Sequence, residues 1–221
     1  MENDQIPVIT IDGPGGSGKG TIAMRLAEEL GWHFLDSGAL YRLVAVAAMD
    51  RDIDAEDGDA LSEVARALDV EFGLTGEGMV ILLDGNYITG RLRSEAVSAM
   101  ASRVAAIPAV RDALVQRQRA FRKAPGLVAD GRDMGTVIFP DAKLKIFLTA
   151  SAEARAKRRY KQLKEKGESV NLPRLFRDIK KRDERDSSRA VSPLRPADDA
   201  HVIDSTEMTV NEVLDEIRKL L

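Results

Sequence analysis

Gly13-Pro14-Gly15-Gly16-Ser17-Gly18-Lys19 is the stretch on which the reading of the fold turns. It fits GxxxxGK and follows an apolar run, Pro7-Val8-Ile9-Thr10-Ile11-Asp12. Directly after it, Ile22, Leu26 and Leu30 recur at spacing four, a helical period that Gly31 stops. Strand, glycine loop and helix in that order mark a phosphate-binding loop. Glycines let the backbone take positive φ, so successive amides turn toward an anion, and the helix opening near Lys19 adds its positive dipole end. Lys19 supplies a mobile cation for the β- and γ-phosphates of a nucleotide. A glycine-rich turn without a ligand is the competing reading, and the strand and helix on either side weigh against it.

The strict pattern wants Ser or Thr after the lysine, whereas here Gly20 follows and Thr21 comes next. This ending, GKGT, resembles the adenylate-kinase group of nucleoside monophosphate kinases. It weakens the direct hydroxyl-to-magnesium contact expected of a switch GTPase or a motor, so Thr21 is expected to reach the metal through water.

Outward from the loop, short apolar runs alternate with longer helical stretches, the pattern of a parallel α/β sheet. Strands are expected at 7–12, 32–35, 127–130, 144–148 and 201–204, with helices over 19–30, 39–49 and 210–221. From Asp69 to Arg93 the rhythm changes. Apolar runs 70–74 and 79–83 are separated by Thr75-Gly76-Glu77-Gly78, and Asp84-Gly85-Asn86 follows, which predicts a small antiparallel meander. The chain therefore reads as one domain over 1–221. Its core covers 1–68, 96–154 and 176–221, with the meander as an insert at about 69–95.

Composition excludes several classes. With no cysteine there are no disulfides, no thiol catalysis and no cysteine zinc site. His33 and His201 lack metal-ligand spacing and read as packing or surface residues. The net charge of -3 calls for no nucleic-acid partner. No apolar run approaches the roughly 18 residues of a membrane span, and the polar, acidic N-terminus is not a secretory signal. A cytoplasmic monomer is expected.

Three further segments carry chemistry. Asp36-Ser37-Gly38-Ala39-Leu40-Tyr41-Arg42 follows the second strand, at the edge where doubly wound folds bind ligands. Alone, Ser37 reads equally as a helix cap and Arg42 as a solvated residue. Beside a phosphate loop they suit the monophosphate of a second substrate. Asp130 ends an apolar run at the position where a carboxylate helps hold magnesium, with a turn residue as the bland alternative. Arg132 and Asp133 lie just beyond, and a carboxylate is a natural acceptor for the exocyclic amine of cytosine. Arg182, Asp186 and Arg189, spaced by four and three, share one helical face. An exposed, ion-paired helix would show the same spacing.

GGSGKGT, LDSGALYR, ADGRDMGTVIFPDA, KRDERDSSRAVSPL and the closing VIDST occur in one order across nearly the whole chain. Together they resemble the bacterial cytidylate kinases among the P-loop nucleoside monophosphate kinases. ADGRDMGTVIFPDA is the most specific of them, since adenylate, guanylate and thymidylate kinases carry other sequences there. The resemblance implies a five-stranded parallel sheet flanked by helices, a small antiparallel β insert that binds the acceptor nucleotide, at about 69–95, and a short lid at about 155–175, turning at Lys166-Gly167-Glu168. It implies ATP, as Mg-ATP, and CMP or dCMP as substrates. Gly13, Pro14, Gly15, Gly16, Ser17, Gly18, Lys19, Gly20 and Thr21 would bind ATP, with Arg158 or Arg159 near adenine. Ser37, Ser102, Arg111 and Asp133 would hold cytosine, and Arg42, Arg132 and Arg182 the CMP phosphate. Asp186 would take the sugar hydroxyl, with Arg189 beside it. Lys19, Arg132, Arg182 and Arg189 would neutralise the transferring phosphoryl group, and Thr21 and Asp130 would hold magnesium through water. Ser102 and Arg111 enter through the resemblance alone.

Overall fold

A computed structural model describes residues 6–75, 78–88, 90–165 and 167–221. The chain separates into two compact units, one formed by Met1–Asp36 with Arg119–Leu221 and the other by Ser37–Gln118.

The first unit is built on a parallel five-stranded sheet. Its strands are β1 (Val8–Asp12), β2 (His33–Asp36), β6 (Leu127–Gly131), β7 (Leu144–Thr149) and β8 (His201–Asp204). They lie in the order β2-β6-β1-β7-β8. The central strand β1 is buried along its whole length, as expected where helices cover both faces of a parallel sheet. Ile9 and Ile11 face a core shared with Ile22 and Leu26 of α1 (Lys19–Leu30) and Val213, Leu214 and Ile217 of α8 (Val210–Arg218). Thr10 and Asp12 alternate to the opposite face, under the turn that follows β6. Gly31 ends α1 with φ of 63° and returns its N–H to the carbonyl of Glu28. A reciprocal bond pair between Thr209 and Glu212 opens α8.

The other helices of this unit are α6 (Ala152–Glu165) and α7 (Leu172–Ser187), which pack against each other in the region expected to form a lid. The turn between them departs from α6 with the N–H groups of Gly167 and Glu168 on the carbonyls of Lys164 and Leu163. Lys166, the first residue of the expected turn, lies outside the described residues.

The second unit contains α2 (Ser37–Asp50), α3 (Gly58–Ala67), α4 (Glu95–Val104), α5 (Pro108–Arg119, to its last residue but one) and an antiparallel meander. Helix α2 is buried almost all round through Leu40, Leu43, Val44 and Val46, with α3 and α4 against it. The meander consists of β3 (Val70–Thr75), β4 (Gly78–Leu83) and β5 (Asn86–Tyr87). Its second turn places Asp84 and Gly85 at φ of 49° and 74°, between the paired residues Leu83 and Asn86. Two positive φ values in a two-residue loop are the hairpin geometry that Asp-Gly favours. Gly76 and Glu77 of the first expected turn lie outside the described residues.

The five strands expected from sequence are present, four of them with a boundary shifted by one residue. The second strand is displaced by one residue to His33–Asp36, because Asp36 continues the parallel register opposite Asp130. Helix α2 begins at Ser37 rather than Ala39, with no loop residue after the strand.

Packing at Gly126, the entry to β6, is tight. A Cβ there would lie 2.3 Å from Cδ2 of Trp32. Gly126→Ala is expected to lower the stability of the folded chain by about 1–3 kcal/mol, measured as a shifted urea midpoint at unchanged slope.

Candidate active site

The glycine loop occupies the carboxyl end of β1. At Gly13 a Cβ would fall 2.0 Å from the carbonyl oxygen of Leu148, so only glycine lets the loop leave the strand beside β7. At Gly18, φ of 95° sets the left-handed turn from which α1 starts. Lys19 folds back over the loop, its Nζ donating to the carbonyl of Pro14 at 3.4 Å and standing 3.6 Å from Oδ1 of Asp130. A Cβ at Gly20 would sit 3.0 Å from Oδ2 of Asp130. The missing Ser or Thr after the lysine thus has a packing reason: Asp130 lies against that backbone. Thr21 is exposed on the first turn of α1.

Two arginines border the same loop. From the position a Cβ of Gly15 would occupy, Nη2 of Arg132 is 3.5 Å away and Cζ of Arg182 is 3.6 Å away. Arg132 donates through Nε to Oδ2 of Asp186 at 3.2 Å, and Arg189 pairs with Oδ1 of the same carboxylate. Arg182 Nε is 3.9 Å from Asp186. Arg182 and Asp186 share a face of α7 as expected, but the helix ends at Ser187, so Arg189 reaches the same carboxylate from just beyond it. Asp186 is the centre of the cluster, only 1% exposed. Burial alone would raise the Asp186 pKa, but the charges of Arg132, Arg189 and Arg182 hold it below the usual carboxylate range. One carboxylate thus faces three guanidinium groups.

Asp12 has a role that sequence reading missed. Its carboxylate accepts from the backbone N–H of Met134 at 2.9 Å and of Gly135 at 2.8 Å. These bonds fix the π-helical turn Met134–Ile138, which immediately follows Arg132 and Asp133. Burial pushes the Asp12 pKa up to about 7, against the lowering effect of the two N–H groups. Arg155 was also missed. Its buried guanidinium donates to the carbonyls of Ala150 and Gly15 and, with both terminal nitrogens, to Asp183. It thereby ties the glycine loop and α6 to α7, next to Arg182. Arg158 donates to the carbonyls of Ser17, Ser205 and Thr206, which sets it between the glycine loop and the turn after β8.

Within the second unit, Ser37, Ser102 and Arg111 are buried and Arg42 is half-buried. Ser37 does not spend its proton on a helix cap: Oγ donates to Oε1 of Gln118 at 2.7 Å. Arg111 donates to the carbonyl of Ala105 at the end of α4, which carries Ser102, and its guanidinium lies 5.6 Å from the ring centre of Tyr41. The sequence showed no reason to single out Gln118, since it sits in a polar helical run, Gln116-Arg117-Gln118-Arg119.

A parallel sheet with a glycine loop at the end of β1, an enclosed lysine and flanking arginines defines a P-loop nucleotide phosphotransferase. The family model for cytidylate kinase matches residues 9–221. The chain is 62% identical over 214 residues to the cytidylate kinase of Stutzerimonas stutzeri, covering 96% of this chain and 93% of that one. It is 59% identical to the cytidylate kinase of Pseudomonas aeruginosa, at 97% and 95% coverage. For that of Aeromonas salmonicida the identity is 57%, at 94% and 90% coverage. The chain belongs to the cytidylate kinase family. Among solved structures, an uncharacterized protein from Eubacterium ventriosum shares the fold, with TM-score 0.51 and 17% identity over 97% of both chains.

Burial and the neighbouring Arg132 lower the Lys19 pKa to about 8, while Asp130 acts in the other direction. Because the folded value lies below the unfolded one, the charged ammonium costs stability at neutral pH, a cost that fades as pH rises from about 8 toward 10.5. A bound polyphosphate restores the proton. Calorimetric titration of ATP at pH 8.5 in buffers of different ionisation enthalpy should therefore show uptake of a fraction of a proton, lost in Lys19→Met. Equal uptake by both proteins would contradict this role for Lys19.

Proposed function

We propose that the chain transfers the γ-phosphate of ATP to CMP, and to dCMP as a second acceptor, giving ADP and CDP or dCDP. The observation that carries this reading is the placement of Arg132 and Arg182 against Gly15, with their charge organised by Asp186. ATP lies on the glycine loop from Gly13 to Thr21 with Lys19 on its terminal phosphates and Arg158 or Arg159 toward adenine. Cytosine is read by Ser37, Ser102, Arg111 and Asp133. The CMP phosphate meets Arg42, Arg132 and Arg182, and Asp186 accepts from the sugar hydroxyl. The hairpin of α6 and α7 serves as the lid at about 155–175, the meander at about 69–95 belongs to acceptor binding, and the protein works as a cytoplasmic monomer.

An oxygen of the CMP phosphate attacks the γ-phosphorus in line as the bond to the β-phosphate oxygen breaks. That oxygen is already anionic, and the transition state is loose, so positioning and charge neutralisation replace a strong base. Lys19, Arg132, Arg182 and Arg189 supply the positive charge.

The residues present fit magnesium as it is carried on ATP. Among the described residues no three His, Asp or Glu side chains converge as a metal cage. Mg²⁺ bound with a nucleotide needs few protein carboxylates and keeps several waters. Asp130, beside Lys19 and packed on Gly20, would hold it through water, together with Thr21. When bound it neutralises β- and γ-phosphate oxygens.

ADP release measured against a panel of monophosphates tests the acceptor. CMP and dCMP should exceed AMP, GMP and UMP in kcat/KM. A higher value for AMP, GMP or UMP would replace the assignment with a kinase for that nucleotide.

A further inference from the structure

The edge that separates cytosine from uracil differs in polarity. Cytosine presents a donating amine at C4, where uracil presents an accepting carbonyl. A hydroxyl reads that difference only if its own proton is committed elsewhere, because serine has one proton and two lone pairs and turns to suit its partner.

In this structure the Ser37 proton is committed. Ser37 Oγ donates to Oε1 of Gln118 at 2.7 Å, and the two residues are 2% and 0% exposed. Nε2 of Gln118 is buried and has no hydrogen-bond partner among the described residues. Buried amide hydrogens are seldom left unpaired. Among the described residues, the hydrogen bond that its carbonyl accepts from Ser37 is therefore the one that holds the side chain.

We infer that Gln118 is a specificity-determining positioning residue: by taking the Ser37 proton it presents Ser37 Oγ to the acceptor base as an acceptor only. Oriented in this way, Oγ receives the cytosine amine and repels the uracil carbonyl. Arg111 supplies the opposite polarity. It is buried, fixed by the Ala105 carbonyl and the Tyr41 ring, and its guanidinium only donates. A fixed acceptor and a fixed donor match the donor-then-acceptor order along the cytosine edge. The inference rests on the proposed CMP reading and adds a residue to it.

The test is kcat/KM for CMP and for UMP at saturating ATP. Gln118→Met keeps length and volume but cannot accept the proton, so Ser37 is freed to donate to uracil. The CMP-over-UMP preference should fall about ten- to a hundredfold, chiefly through KM for CMP, with KM for ATP unchanged. Gln118→Glu still accepts and should keep the preference. In a Ser37→Ala background, Gln118→Met should change the preference by less than about twofold. Gln118→Leu gives the same comparison if the methionine variant does not fold. The inference is overturned if CMP and UMP use fall alike, if the glutamate variant loses the preference, or if the shift persists without Ser37. A wild-type enzyme that does not favour CMP would instead overturn the underlying reading.

Discussion

A site that must bind several phosphates collects cations that repel one another, and here Asp186 makes that collection possible. Its carboxylate is withdrawn from solvent and engages Arg132 from the loop after β6 and Arg189 from just beyond the end of α7. Arg182, one turn earlier on α7, stands near the same group. A buried carboxylate without partners would be costly, and so would three guanidinium groups without a counter-charge. Each side of the cluster holds the other in place, with Arg132 and Arg182 against Gly15.

The same logic extends into the glycine loop. Lys19 lies in the field of those arginines, and Asp130 offsets part of it. Arg155 reaches the backbone of Gly15 while pairing with Asp183, the neighbour of Arg182. Phosphate loop and arginine helix are therefore joined by one side chain. Asp12 does the corresponding work for the turn after Arg132 and Asp133, using a carboxylate at the end of the central strand to fix two backbone amides. Charge and loop geometry are fixed by the protein's own contacts, the arrangement by which electrostatic stabilisation avoids reorganisation during a reaction.

Much of this was legible in the sequence because its signals are local. The glycine loop, the Asp84-Gly85 hairpin and the spacing of Arg182, Asp186 and Arg189 each depend on neighbours a few residues away. What was not legible depends on pairing across the chain. Asp12 reads as the last residue of a strand until parallel pairing sets it opposite Gly131. Arg155 is one basic residue in a basic run, and Gln118 one polar residue in a polar helix, until the fold brings Gly15 and Asp183 to the first and Ser37 to the second. The shift of α2 to begin at Ser37 has the same origin, since the register of β2 against β6 carries Asp36 into the strand.

The central claim is that the Asp186 carboxylate organises the arginines that neutralise the transferring phosphoryl group. The most direct test is kcat for CMP phosphorylation in Asp186→Asn at saturating ATP, in protein that still binds ATP. The account predicts a loss of roughly 10²–10³, the scale of removing a preorganised donor. A kcat within about twofold of wild type, with all substrates saturating, would contradict it.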